Sequence, residues 1–253
     1  MNALRSQECA VVVGASGHFG QAIVARLRQS GLRVVAVARS PAVLQTLFGD
    51  CDDVIPCVAD IARDEATERI AACLQAPVRM LVHGPGVAVA GGVLAASTAA
   101  VVDAVNIKVG GMLRLVRAAD GWLRPGSRLV AIGGHYGFEP SAYAAAAGVA
   151  NAGLVNLSRQ LSLAYGPRGV SAHVIAPGPA DSERLRRVAA DRAVMRGVAL
   201  QTVMDEMRAE SSTGEFTTAE QVAWAVALLL APEAAAMTGS SLMLDSGRRR
   251  GLP

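Results

Sequence analysis

Aromatic residues are scarce in this chain: four Phe, three Tyr and two Trp make up 4% of its 253 residues. Lysine is rarer still, because Lys108 is the only one among 24 basic residues, a bias of the kind nucleotide composition produces. The four cysteines (Cys9, Cys51, Cys57, Cys73) form no C-x-x-C pair, and the four histidines (His18, His83, His135, His173) stand far apart. Neither a disulfide framework nor a zinc site is signalled, and the cysteines read as small core residues; no metal is expected. An uninterrupted run of the ~20 apolar residues that a membrane helix needs is also missing. Met1–Cys9 holds Arg5 and Glu8 and runs into a four-residue apolar stretch, too short for the core of a secretory signal, so a cytoplasmic protein is expected. Charge of one sign is lacking too. Lys and Arg exceed Asp and Glu by 24 to 21, a net charge of +3, and the basic residues are scattered apart from Arg248–Arg250. Nothing there resembles a nucleic-acid footprint.

What is present is small aliphatic bulk: 52% hydrophobic against 18% charged residues, which excludes disorder as a description of the whole. The length suits one α/β domain of about 250 residues, and no linker interrupts it, so residues 1–253 are read as a single domain. Short apolar runs at Ala10–Val13, Leu32–Ala38, Asp53–Val58, Val78–Val82, Arg128–Ile132, Val170–Ile175 and Ser241–Leu244 read as strands. Helical patterns lie between them, at Gly20–Gln29, Asp64–Leu74, Thr98–Leu123, up to about Tyr165, and from the capping-box pair Thr218 and Gln221 to near Leu230. Seven strands alternating with helices imply a Rossmann-type, doubly wound parallel sheet with helices on both faces, because crossovers between parallel strands are right-handed. Ligands of such sheets bind beyond the carboxyl ends of the strands, where the strand order reverses. The charged segment Ser182–Ser212 lies where an insertion overhangs that crevice, and it reads either as a substrate lid or as a solvated pair of surface helices.

The run from Val13 to Gly20 (Gly14, Ser16, Gly17, His18, Phe19, Gly20) sits where strand turns into helix. Glycines there allow a tight turn and let the backbone approach a pyrophosphate at the positive helix end, although a tight turn alone also uses them. Arg39 ends the second strand, where a carboxylate grips an unmodified ribose and a guanidinium grips a 2′-phosphate; the choice leans to NADP(H), with Ser40 adding a hydroxyl. An arginine that is merely solvated is the other reading of that position.

With these residues in view the chain resembles the short-chain dehydrogenase/reductase family over nearly its whole length. The resemblance rests on Gly14–Gly20, on Asp60 with Ile61, on His83-Gly84-Pro85-Gly86 after the fourth strand, and on Val105-Asn106-Ile107. It continues in Val174–Pro179, Met237-Thr238-Gly239 and Leu244-Asp245-Ser246-Gly247. It implies that Asp60 binds the adenine amino group, and that Pro177, Gly178 and the hydroxyl of Ser182 lie against the nicotinamide. The sequence departs from the family in the glycine turn, where His18 replaces the middle glycine and either crowds or hydrogen-bonds the pyrophosphate. It departs again where His83-Gly84-Pro85-Gly86 stands for Asn-Asn-Ala-Gly, losing amides that brace neighbouring strands.

The family's serine, tyrosine and lysine are the larger departure. One placement puts Tyr143 in the tyrosine role, with Ala147 for the lysine and a loop four residues short. The gapless placement puts Gly134 on the serine, Ala147 on the tyrosine and Asn151 on the lysine, with Ala152-Gly153-Leu154 in register beyond. All three polar groups are then absent. Only Asn106, the family's fourth catalytic residue, remains, and Asn151 keeps the ability to hydrogen-bond a nicotinamide ribose. Ordinary carbonyl reduction is therefore expected to be slow unless another group delivers the proton. His135, Tyr136, Glu139 and Tyr143 are the candidates, and Tyr143 would share a helix face with Ala147, ~6 Å away along the axis, if residues 144–147 are helical. The same four residues also read as loop and packing side chains.

Three functions fit these residues. The first is an NADP(H)-dependent oxidoreductase acting on a carbonyl or enoyl group of a moderately apolar small molecule, with a nonstandard proton donor. The second is a catalytically silent NADP(H)-binding partner or sensor, and the third a non-redox lyase, isomerase or cyclase in the same crevice. The resemblance implies a homodimer or homotetramer built on the helix over about Ala144–Tyr165 and on the last helix with its strand.

Overall fold

Seven parallel strands form one sheet in the computed structural model, which describes residues 8–87 and 92–251. They are β1 (Cys9–Val13), β2 (Arg33–Ala38), β3 (Val54–Val58), β4 (Val78–His83), β5 (Leu123–Ile132), β6 (Ser171–Pro177) and β7 (Ser241–Leu244), in the spatial order 3-2-1-4-5-6-7. The order reverses between β1 and β4, so the Rossmann-type doubly wound sheet expected from the sequence is present, with its switch point there. The expectation of no secretory core in Met1–Cys9 rests partly on residues 1–7, which lie outside the described residues.

The strands read as unbroken apolar runs because both faces are covered. Val11, Val13, Val35 and Val37 point into one core, while Ala10, Val12, Val34 and Ala36 point into the other, as the two-residue period of a strand requires. The first core is closed by α3 (Ala66–Ala72), α5 (Gly111–Ala119) and α6 (Ala145–Tyr165), the last supplying Leu154, Leu157 and Leu161 from one face. The second is closed by α1 (His18–Gln29), α2 (Pro41–Phe48) and α9 (Ala219–Leu228), where Val24 and Leu27 meet Val222 and Val226. Pro56 lies in β3, an edge strand, where a missing ladder donor is tolerated.

Two arginines, Arg128 buried and Arg79 half-buried, tie the sheet to the end of α9. Arg128, 1% exposed, donates to the Leu229 and Ala231 carbonyls at 2.8 and 3.2 Å, and Arg79 donates to Leu230 at 3.0 Å. These carbonyls lie at the end of α9, where no intrahelical donor remains.

The helical pattern read over Thr98–Leu123 is divided. It comprises α4 (Thr98–Val105), a π turn over Asn106–Gly110, α5, and a 3₁₀ turn over Asp120–Trp122. β5 begins at Leu123 and not at Arg128: Leu123 pairs with Val78 and Arg128 with Met80, the surplus residues forming a bulge around Pro125 and Gly126. Residues 182–212 hold α7 (Glu183–Arg196) and α8 (Leu200–Ala209), joined through Gly197 in the left-handed conformation (φ 64°). Their shared core is Ala189, Ala193, Val203, Met204, Met207 and Phe216.

Candidate active site

At the switch point, Gly14 takes φ 83°, open to glycine without strain. A Cβ on Gly14 would stand 3.1 Å from the backbone of Gly84 and Pro85, so the turns after β1 and β4 are packed against each other. A Cβ on Gly20 would collide with the Gly14 carbonyl oxygen, which is why α1 can start directly under the turn. A cavity of about 210 Å³ opens above, lined by Gly14, Ser16 and Gly17, by Arg39, by Asp60 and Ile61, by Gly84, Pro85 and Gly86, and by Ile107. Arg39 is exposed there and has no ion-pair partner among the described residues. Asp60 turns one carboxylate oxygen onto the Ala62 amide (3.1 Å), which sets the loop after β3.

Four of the residues expected at this cradle stand apart from the cavity. His18 is exposed, its ring 5.5 Å from that of Phe19, and neither lines the cavity. Gly20 is buried beneath the turn. Ser40 caps α2, its Oγ accepting the Val43 amide at 3.3 Å.

The lost amides after β4 have a replacement. His83 is fully buried and its Nε2–H donates to the Ile107 carbonyl in the π turn at 3.0 Å, while Nδ1 has no partner. Burial first, and the nearby Lys108 charge second, push its pKa down to about 3, so the ring stays neutral. A Cβ on Gly111 would lie 2.7 Å from His83 Cε1, so the imidazole fits because Gly111 has no side chain. Lys108, 4% exposed, donates to the Ile132 carbonyl at 2.7 Å. Asn106 is occupied on both sides: its Nδ2 donates to Ala62 O (2.9 Å) and its Oδ1 accepts from Arg114 (2.9 Å). The amide thereby braces the loop after β3.

At the other end of the crevice, Gly134 and Asn151 face each other. A Cβ on Gly134 would lie 3.0 Å from Asn151 Nδ2 and 4.0 Å from the Pro177 carbonyl oxygen. Asn151 is 6% exposed, and its Oδ1 is buried without a partner. Ala147, one turn earlier, is packed with Val87, Ala104, Ala146 and Ala150. Pro177 ends β6, and a Cβ on Gly178 would stand 2.8 Å from Asp245 Cα, a close approach between the chain after β6 and the chain after β7. Ser182 caps α7, with Oγ accepting the Leu185 amide at 3.3 Å.

The four candidate proton donors separate. Tyr143 lies before α6, which begins at Ala145, so the expectation that it shares a helix face with Ala147 is corrected: Ala144 has left helical geometry (φ −119°, ψ 43°). Its hydroxyl is 2.7 Å from that of Tyr136, with the rings edge-to-face at 5.7 Å, and the His135 ring packs on Tyr136 at 4.0 Å. Arg192, from α7, places its guanidinium 4.5 Å from the centre of the Tyr143 ring. Burial raises the Tyr143 pKa, but the bond to Tyr136 and the contacts with Arg192 and Ser141 outweigh it and bring the phenol down to about 8. Burial and the same pairing push Tyr136 up to about 12, so Tyr143 is the first of the two to ionise. His135, 5% exposed, falls to about 4 through burial and the Arg248 charge, so it is neutral and accepts protons weakly. Glu139 accepts the Gly251 and Arg250 amides at 2.8 and 3.0 Å, bonds that lower its pKa and commit it to holding the C-terminal segment.

Sequence reasoning missed Arg192 and Arg248. Arg248 ion-pairs with Glu210 and donates to Met207 O (3.3 Å), while Ser212 bonds Gly247 O (2.8 Å), so the α7–α8 segment is stitched to the chain after β7. Arg248 carried a faint signal as part of the one arginine run, and Arg192, one of many charges on α7, carried none.

Among the described residues no cluster of His, Cys, Asp and Glu could hold a metal ion, and no helix is long and apolar enough to cross a membrane.

The family profile described as enoyl-(acyl carrier protein) reductase matches residues 14–249. The chain thus belongs to the short-chain dehydrogenase/reductase family. It is similar to the 3-oxoacyl-(acyl-carrier-protein) reductase MabA of Mycobacterium avium, with 27% identity over 244 residues, covering 95% of this chain and 89% of that one. Among solved structures it is similar to a NADPH-bound short-chain oxidoreductase of Pseudomonas aeruginosa PAO1 described as containing an atypical catalytic center. That match has TM-score 0.86 and 24% identity, and covers 97% of this chain and all (100%) of the other. It is also similar to the L-sorbose reductase of Gluconobacter frateurii, solved with NADPH and L-sorbose, at TM-score 0.89 and 20% identity over 98% of each chain.

Proposed function

We propose that the chain is an NADP(H)-dependent oxidoreductase that reduces a carbonyl or enoyl group of a moderately apolar small molecule, with Tyr143 as its proton donor. The observation that carries this reading is the cavity at the switch point, where a glycine turn, Asp60 and Arg39, which has no ion pair among the described residues, meet. These residues fit a dinucleotide: Gly14 and Gly17 leave the turn bare for a pyrophosphate, Asp60 takes an adenine amino group, and Arg39 takes a 2′-phosphate. When bound, NADPH supplies the hydride. The chain's own part is to seat the nucleotide, exclude water, and deliver a proton.

Proton delivery falls to Tyr143. Its phenol is protonated at neutral pH, yet ionises more readily than an ordinary tyrosine because Tyr136 and Arg192 stabilise the phenolate. Tyr136, hydrogen-bonded to it and harder to ionise, holds its orientation. The solved relatives described as NADPH-bound, one with an atypical catalytic center, give the reading its precedent. The α7–α8 segment closes over this end as a lid whose packed side is apolar.

The test is loss of NADPH absorbance with a panel of ketones, aldehydes, 3-oxoacyl thioesters and enoyl thioesters. Turnover of at least one class is expected, with Tyr143→Phe lowering kcat by about 10²–10⁴-fold. A second reading, a silent NADP(H)-binding partner protein, is favoured by the burial of Ala147 in an alanine-lined core. Tight NADPH binding with no turnover across the panel would select it.

We also infer a homodimer or homotetramer. Val149 and Leu163 on α6 are 54% and 72% exposed, and Trp224 and Leu228 on α9 are 52% and 41% exposed, apolar surface that a second copy would cover.

A further inference from the structure

We infer that Arg114 is a positioning residue for the nucleotide: its guanidinium clamps the loop after β3 to the π turn, two walls of the cavity at the switch point, and so fixes where the adenine end of NADP(H) is received. This inference rests on the NADP(H) reading above and deepens it, since Arg114 does not line the cavity itself and acts through Ile61 and Ile107, which do.

Three observations converge. Arg114 stands on α5 with its side chain 14% exposed, and one nitrogen reaches both walls: Nη1 donates to the Ile61 carbonyl at 3.1 Å, and to the Asn106 side-chain oxygen and carbonyl at 2.9 and 3.4 Å. Asn106 closes the circuit, its Nδ2 donating to the Ala62 carbonyl at 2.9 Å, one residue beyond Ile61. Next, the ion pair of Arg114 does not account for the arrangement. Nε bonds Asp64 at 2.7 Å, but the Asp64 side chain is 92% exposed, where water screens such a pair to little effect. Finally, the guanidinium has a space left for it. A Cβ on Gly110 would stand 3.0 Å from Arg114 Nη1 and 3.0 Å from Asn106 Oδ1. Gly110 has ordinary helical angles (φ −60°, ψ −42°), so the clamp and not the backbone calls for glycine, at a position where alanine would favour the helix.

A guanidinium suits this task because its planar fork presents several donors in fixed directions, where an ammonium acts as a single point. Ala62 is gripped on both its backbone groups, by Asp60 through the amide and by Asn106 through the carbonyl, so the clamp also sets the loop that carries Asp60. Walls held in place before the nucleotide arrives need no ordering on binding, so the clamp acts on affinity and not on the chemical step.

The test joins calorimetric titration to amide hydrogen exchange, and the probes are NADPH and adenosine 2′,5′-bisphosphate, which carries the adenine end alone. Arg114→Met is expected to weaken both ligands by the same factor, roughly tenfold. Arg114→Lys keeps the charge and the aliphatic stem but not the fork, so it should be nearly as weak, whereas Asp64→Asn should bind like the unaltered protein. Gly110→Ala leaves the guanidinium in the chain but crowds it, and should weaken both ligands too. Exchange needs no ligand. In Arg114→Met without nucleotide the Ala62 and Arg63 amides should exchange about tenfold faster, while those of β1 stay as they were. Unmoved exchange at Ala62 and Arg63, full affinity in Arg114→Met, recovery in Arg114→Lys, or a loss seen with NADPH alone overturns the inference. Unaltered protein that binds neither ligand overturns the NADP(H) reading and this inference with it, a result distinct from a variant that binds as well as its parent.

Discussion

Tyr143 and Tyr136 stand 2.7 Å apart, yet their environments drive their acidities in opposite directions. If Tyr143 delivers the proton, the active form is the protonated phenol, present below its pKa of about 8 and lost as pH rises through it. A pH profile of kcat/KM should therefore be level near neutrality and fall roughly tenfold per pH unit above about 8. Arg192→Met removes one stabiliser of the phenolate, so the break should move upward. A profile that falls on the acid side instead would assign the break to another group. The sequence made both tyrosines visible as candidates because they adjoin the vacated positions. It could not place Tyr143 off the helix, since in Ala144–Ala147 every residue favours a helix and only tertiary packing sets the start at Ala145. Nor could it show Asn151 filling the space beside Gly134, a relation across 17 residues that depends on how α6 docks. Arg192 lay hidden for a related reason, being one cation on a helix covered with them.

Elements were more legible than side-chain roles, because their signals are local. The strands announced themselves as short apolar runs, and Thr218 with Gln221 forms the capping box their spacing implied. Thr218→Ala is expected to cost about 1 kcal/mol, a drop of roughly 2–4 °C in Tm by calorimetry. The π turn at Asn106–Gly110 could not be read. It forms where the long helix bends around buried contacts from His83, Lys108 and Asn106 that are distant in sequence. β5 was read too short for a similar reason, since its first residues pair with β4 across a bulge that leaves no apolar run. The glycine turn lends itself to a sharper experiment. Gly20→Ala drives a methyl group into the Gly14 carbonyl, so it should cost about 1–3 kcal/mol of stability and weaken NADPH binding together. Unaltered binding and stability would mean that α1 can slide away from the turn.

Across the whole molecule, the topology does the positioning. A parallel sheet whose order reverses between β1 and β4 leaves a crevice at one edge of both halves, and the turns after β1, β2, β3 and β4 all empty into it. The chemical end is assembled separately, from the chain after β5, the start of α6, and a helical pair tied to the chain after β7. Sedimentation of the purified protein should give a dimer or tetramer, and charged replacements at Leu163 or Trp224 should lower that mass. A monomer at micromolar concentration would exclude the inferred assembly.

Which nucleotide the cavity admits is measured directly by a calorimetric titration with NADPH and with NADH. NADPH is expected to bind the more tightly of the two, and Arg39→Asp to weaken NADPH roughly 10–100-fold through loss of a charge-assisted bond while leaving NADH little changed. Binding of neither nucleotide, or equal affinity for both that ignores Arg39, would contradict the account.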